Sequence, residues 1–220
     1  MTGSTPSPLS QEVLRHANRV HAYFASAGDA SSTERLAAEA GRWDATMTEV
    51  VVAGDINRGK SSLVSDLVDR PGLLPVDVDV TTAVHVAVGF GRPPSTRVTR
   101  VDLETGESRS DEIDAGDLAR HVVVGGSDGS ASAVTGAEVL IDHPLLERGL
   151  TLIDTPGVGG MTRGHRDITM ASLLRADALV FVVSAVEPVT RSELEFLDEA
   201  SERIANVILV ASRADLGTAE

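Results

Sequence analysis

The 220-residue chain has no cysteine, and it has one lysine against eighteen arginines. The missing thiols exclude disulfides and thiolate metal centres, which fits a reducing compartment. Aromatic residues make up only 3% of the chain while the hydrophobic fraction is 42%, so Val, Leu, Ala and Ile must build the core. Basic charge is also in short supply: 33 acidic residues against 19 basic ones leave a net charge of −14. Nucleic acid is therefore not the expected partner, because phosphate backbones are bound by clustered Lys and Arg. Adsorption to anionic lipid is disfavoured by the same sign. No apolar run approaches the roughly eighteen residues that span a bilayer. The opening "MTGSTPSPLSQ" lacks the basic-then-apolar order of a secretory signal. These absences lead to the expectation of a cytoplasmic, acidic α/β protein.

Residues 1–8, rich in Ser, Thr and Pro, are expected to form a disordered tail. Residues 9–46 read as a helical segment, with Val13, Leu14, Ala17, Val20, Tyr23 and Phe24 on one face and a second helix capped by Ser32 or Thr33. From residue 47 onward strands and helices alternate. "TEVVVAG", "TTAVHVAVGF", "TRVTRVDL", "GAEVLIDH", "GLTLIDTPG", "ADALVFVVSA" and "ANVILVAS" read as strands. "SSLVSDLVD" and "DAGDLARHV" read as helices, and "TRSELEFLDEASERI" as an amphipathic helix with Leu194, Leu197 and Ile204 inward. An "ETGE" turn follows the third strand, and residues 125–132 read as a mobile loop of small residues. Near-continuous apolar strands separated by helices predict a three-layer α/β fold whose sheet is mainly parallel and covered on both faces.

The single lysine sits in "GDINRGKS", residues 54–61, a full G-x-x-x-x-G-K-[ST] pattern between a buried strand and a helix. Such a loop cradles phosphate with main-chain N–H groups, here from Gly54, Asn57, Arg58, Gly59, Lys60, Ser61 and Ser62, aided by the positive end of the following helix. Lys60 reaches the β- and γ-phosphates and Ser61 ligates Mg²⁺. A compact ammonium fits between two phosphates where a wide, planar guanidinium does not, so lysine is retained here. In "LTLIDTPG", Asp154 ends a second buried strand. It can hold Mg²⁺ through water, with the Gly157 N–H touching the γ-phosphate, or it can simply cap a turn. In "VILVASRAD", Asp215 follows a strand tip where a carboxylate can accept both guanine N–H donors, which adenine lacks. The alternative for "SRAD" is an ordinary surface turn.

With "GDINRGKSSL", "LLPVDVDVTTA", "DTPG" and "SRAD" in order, residues 48 to 215 resemble the GTPase domain of dynamin-like proteins, particularly the bacterial branch, within the P-loop NTPase fold. By the resemblance, residues 47–220 form a dynamin-type GTPase domain that is incomplete at its C-terminus. The helical stalk and membrane-binding tip would then lie outside the chain. Thr82 would ligate Mg²⁺ and orient the attacking water, with Thr81 its neighbour. Arg213 takes the place of a lysine that lies along the base. The resemblance further implies GTP hydrolysis, dimerisation across the active site and membrane remodelling. A peripheral place at the inner membrane face follows for a longer protein. Two departures stand out: Ile56 where relatives often carry a polar residue that places water, and Val158 after "DTPG" where small GTPases use glutamine.

Arg58 is expected as a solvated loop charge, with stabilisation of γ-phosphate charge in cis or across a dimer as the alternative. Asp77 and Asp79 read as a solvated switch face. None of His16, His21, His85, His121, His143 and His165 forms a metal-spaced pair in one helix, so no zinc site is expected. His165 and Arg163 fall in the second switch by position. Two functions therefore compete. One is a Mg²⁺-dependent GTPase built on Lys60 and Thr82. The other is a GTP/GDP-binding interaction module with little hydrolysis, favoured by Ile56 and Val158. A translation- or assembly-type GTPase is disfavoured by the "LLPVDVDVTTA" switch.

Overall fold

A run of buried β-branched residues, Val51 and Val52 followed by Ala53, makes β1 (Thr48–Ala53) the centre of the sheet. The computed structural model describes residues 19, 20, 23, 27, 47–75, 84–122, 132–158 and 169–216. The chain divides into two compact units, Met1–Thr46 and Met47–Glu220. In the first, Arg19, Val20 and Tyr23 are helical, Val20 and Tyr23 are exposed, and the Ala27 N–H donates to the Tyr23 carbonyl at 3.0 Å. The expected tail, the caps at Ser32 and Thr33, Leu14 and Phe24 lie outside the described residues.

In the second unit β1 leads through a loop to α1 (Lys60–Leu67), then β2 (Val86–Phe90), β3 (Ser95–Asp102) and β4 (Ser108–Ile113). A 3-10 turn, Ala115–Asp117, runs into α2 (Leu118–Val122) and on to β5 (Ser132–Ile141). Then come α3 (Pro144–Glu147), β6 (Leu150–Asp154), β7 (Ala178–Ser184), α4 (Arg191–Ser201) and β8 (Val207–Ser212). The eight strands lie in the order β4-β3-β5-β2-β6-β1-β7-β8. Four of the seven pairings are parallel, so the mainly parallel expectation stands. The antiparallel pairings join β2 to β6 and build the β5-β3-β4 edge.

Side-chain alternation along the strands sends Val52, Leu152 and Val182 to one face and Val51, Ala53, Ile153 and Phe181 to the other. On the first face they pack with Val64 and Val68 from α1, Leu118 and Val122 from α2, and Leu146 from α3. On the second they meet Phe196 and Ala200 of α4 and Leu173, with the Phe181 and Phe196 rings stacked at 5.8 Å between centroids. The parallel half is thus a three-layer sandwich.

Two sequence expectations change. Leu194 was placed inward, but it is 53% exposed, whereas Glu193, Phe196 and Ala200 carry the buried face of α4. Ile204 is buried and Leu197 packs against the core as expected, so the departure is confined to the first turn, where a carboxylate, not a leucine, faces inward. β4 was not anticipated: "SRSDEI" has no apolar alternation, and it pairs as a polar edge strand with β3. Its hairpin is closed by Asp102 Oδ1, which accepts from the N–H groups of Glu104 and Thr105.

α4 opens with a complete capping box, in which Thr190 Oγ1 accepts from the Glu193 N–H and Glu193 Oε2 accepts from the Thr190 N–H at 2.7 Å. Thr190→Ala is expected to lower the unfolding free energy by about 1 kcal/mol. A urea titration checks this, and a midpoint matching the unsubstituted chain would contradict it.

Candidate functional site

The carboxyl ends of the parallel strands β6, β1, β7 and β8 lie side by side, which is where open α/β sheets bind ligands. β1 hands the chain to the 54–59 loop. At Gly54, φ is 149° and a Cβ would stand 2.3 Å from the Val182 carbonyl oxygen of β7, so only glycine lets the loop leave the strand here. Asn57 (φ 60°) and Gly59 (φ 88°) adopt left-handed conformations that curl the loop back. Gly59 is also the N-cap of α1 and provides no side-chain cap. The first-turn N–H groups of α1, including those of Ser61 and Ser62, therefore remain for an anion.

Lys60 is buried and its Nζ donates to the Asp55 carbonyl at 2.8 Å. Burial lowers its pKa, which Asp154, Asp55 and Glu193 partly counter. Parallel register sets Asp154 beside Val52, and Ser61 Oγ donates to Asp154 Oδ2 at 2.6 Å. The other carboxylate oxygen, Oδ1, is buried without a hydrogen bond among the described residues. Burial pushes the Asp154 carboxyl up to about 6, against the pull of the Lys60 charge, the Ser61 hydroxyl and the Thr155 N–H. A hydroxyl oxygen and a carboxylate with a free, buried lone pair form a hard-oxygen donor set, and this fits Mg²⁺.

The segment that follows β6 is fastened to β1 and to the loop. Thr155 Oγ1 donates to the Val52 carbonyl at 2.8 Å and the Val158 N–H to the Gly54 carbonyl at 3.1 Å. A Cβ on Gly157 would lie 2.5 Å from Ile56 Cγ1 and 2.8 Å from the Ile56 nitrogen. This close approach requires glycine.

At the end of β8, Ser212 Oγ donates to the Arg58 carbonyl at 2.6 Å, and Arg213 Nη2 donates to the Asn57 carbonyl at 2.7 Å. A trans peptide points its N–H opposite its carbonyl, so these contacts turn the Arg58 and Gly59 N–H groups away from β8. Asp215 follows, exposed in the 3-10 turn Ala214–Leu216.

The expectation of a solvated Arg58 is corrected. Its guanidinium is only 3% exposed and holds Glu193 with two bonds, Nε to Oε1 at 2.8 Å and Nη2 to Oε2 at 3.0 Å. It also reaches Glu187 at 2.6 Å and the Pro188 carbonyl at 3.0 Å. The side chain is drawn under the start of α4, which leaves the main chain of Arg58 as its contribution to the loop.

Sequence reasoning did not single out Asp55, Glu187, Glu193 or Ser212. The "TRSE" pattern fits a capping box and is the local signal that could have marked Glu193, but nothing local marks a partner 135 positions away. Thr81, Thr82, Asp77, Asp79, Arg163, His165 and residues 125–131 lie outside the described residues.

The chain matches the Dynamin family over residues 50–213. It is 32% identical over 167 residues to isoniazid-induced protein IniA of Mycobacterium tuberculosis, covering 76% of this chain and 26% of that protein. It is 24% identical over 205 residues to dynamin-like protein A of Bacillus subtilis, covering 93% of this chain and 16% of the relative. The chain thus spans about a quarter or less of the length of these relatives. Its fold matches a solved chain of "an oligomerised bacterial dynamin pair", with a TM-score of 0.64, 19% identity, and coverage of 84% of this chain and 29% of that one. With a family match over most of its length and the phosphate-loop geometry behind it, the chain belongs to the dynamin family and carries a dynamin-like GTPase domain.

Proposed function

We propose that this chain binds GTP and GDP and hydrolyses GTP as the nucleotide-responsive head of a membrane-associated dynamin-like protein. The observation that carries the reading is the junction of Lys60, Ser61 and Asp154 at the uncapped start of α1. Lys60 exchanges the Asp55 carbonyl for the β- and γ-phosphate oxygens. The N–H groups of Asn57, Arg58, Gly59, Ser61 and Ser62 receive the remaining phosphate charge, and the Gly157 N–H meets the γ-phosphate. Asp215 accepts from the guanine N–H donors while Arg213 lies beside the base. Thr82 orients the water. Ser61, Thr82 and, through water, Asp154 would hold Mg²⁺, which supplies charge neutralisation on the phosphates when bound.

Dimerisation through the nucleotide face and membrane remodelling belong to this proposal, and the membrane contact is assigned to other regions of a longer protein. No helix among the described residues is long and apolar enough to cross a membrane. A binding module with little hydrolysis is the second reading, and it has a specific support: Ile56 packs against Gly157 and offers no polar group to a water.

The test is displacement of a fluorescent GDP analogue by GTP or ATP with Mg²⁺, beside Lys60→Ala. GTP alone is expected to displace the probe, and Lys60→Ala to weaken binding roughly 30-fold through loss of charge-assisted bonds. Equal displacement by ATP would remove the guanine assignment from Asp215. Single-turnover phosphate release that rises with protein concentration supports the dimerising enzyme. Tight binding without release supports the module.

A further inference from the structure

We propose that Glu187 is a positioning residue for guanine-nucleotide binding, clamping Arg58 of the phosphate loop to Arg213 at the base-side end of β8; the inference rests on the GTP-binding reading. Glu187 sits on the connection from β7 to α4 and uses both of its oxygens. Oε2 accepts from Arg58 Nη1 and Oε1 from Arg213 Nη1, each at 2.6 Å. Arg213 completes a ring by donating Nη2 to the Asn57 carbonyl, the residue that precedes Arg58.

The chemistry of arginine explains why an acid is needed. A guanidinium is a rigid plane whose donors point in fixed directions, unlike an ammonium that turns freely on its stem. Its Nη1 and Nη2 donors are anchored on acceptors from different segments, Glu187 and the Asn57 carbonyl, and this fixes the orientation of the Arg213 plane. Glu187 also separates two cations that approach the same short loop. Among the described residues it is the acid paired with Arg213, whereas Arg58 keeps both bonds to Glu193 if Glu187 is removed. Loss of Glu187 therefore acts mainly through Arg213. Arg213 has φ 55°, a left-handed backbone that is uncommon for a non-glycine residue. A lysine at 213 would need no such acid, so Glu187 and Arg213 are read as a matched pair.

The experiment uses the full 220-residue chain. Glu187→Gln, Arg213→Lys and the double variant are titrated with a fluorescent GDP analogue and Mg²⁺, and their melting is followed without nucleotide. Glu187→Gln is expected to weaken GDP binding about tenfold beside Arg213, and by less than about twofold beside Lys at that position. Nucleotide-free melting is expected to stay within about 2 °C of the parent. Equal losses in both backgrounds, or no loss in either, overturn the assignment. A fall in nucleotide-free melting that accompanies the loss marks Glu187 as structural and overturns it too. If the unsubstituted chain binds no guanine nucleotide, the GTP-binding reading fails and takes this inference with it. If it binds, and Glu187→Gln binds equally well, only the inference fails.

Discussion

Glu193→Gln is expected to lower the unfolding free energy by about 3 kcal/mol, the low end of the cost of breaking a buried ion pair, because Glu187 still faces Arg58. Glu193 is 0% exposed and Arg58 3% exposed. Removing the carboxylate leaves a buried guanidinium that cannot deprotonate, held only by the half-exposed Glu187 and the Pro188 carbonyl. The same carboxylate also completes the cap of α4, accepting from the Thr190 N–H and, at 3.0 Å, from the Thr190 hydroxyl. The double variant Arg58→Met, Glu193→Leu removes both charges at similar volume and is expected to recover most of the loss. Urea unfolding of the two variants and the parent checks this. A double variant as unstable as Glu193→Gln would show that the ion pair is not the cause.

Acid separates the parent from the double variant as well. Burial raises the Glu193 carboxyl, but the Arg58 guanidinium and the Thr190 N–H and hydroxyl outweigh it, leaving the group below its ordinary range. A lowered folded value contributes stability above the unfolded pKa and loses it as pH falls through the folded one. The double variant should lack this component of acid sensitivity.

This ion pair marks the boundary of what the sequence made legible. Periodicity showed β1, β6 and β7, because strands buried on both faces read as unbroken apolar runs, and β8 reads the same way although Ile208 and Leu209 are exposed on this edge strand. "GDINRGKS" and "DTPG" were legible because phosphate loops are local: a glycine at 54 and a lysine at 60 act within one turn of chain. Arg58 was misplaced for the opposite reason. Its partners, Glu187 on the β7–α4 connection and Glu193 in α4, are brought near only because β7 pairs beside β1, and no local pattern distinguishes a buried arginine from a solvated one. The inward placement of Leu194 failed on the same fact, since a helix whose first inward residue is a charged carboxylate violates the apolar-stripe rule. β4 was invisible because an edge strand can be wholly polar.

Asp154 gives the second large effect, with a sign opposite to that of Glu193. Its folded pKa of about 6 stands above the ordinary aspartate value of 3.8, chiefly because burial penalises the charged form. Between those values the folded chain holds a proton that the unfolded chain releases, so stability is fully present below the unfolded pKa and declines as pH rises through the folded one. In chelator without nucleotide, the parent is expected to lose about 2–3 kcal/mol from this group between pH 4 and pH 7. Asp154→Asn, neutral throughout and still able to accept from Ser61, should lack the decline and be the more stable chain at pH 7. Urea unfolding of both proteins at the two pH values measures the difference, and parallel pH profiles would contradict the assignment. The cost at neutral pH has a functional sense. An ionised carboxylate with one oxygen unbonded and the other on Ser61 is poorly compensated by Lys60, which itself rests on the Asp55 carbonyl. Mg²⁺ and a nucleotide would relieve that deficit, so their addition should stabilise the parent more at pH 7 than Asp154→Asn. The same substitution that strengthens the free fold should then weaken its response to ligand.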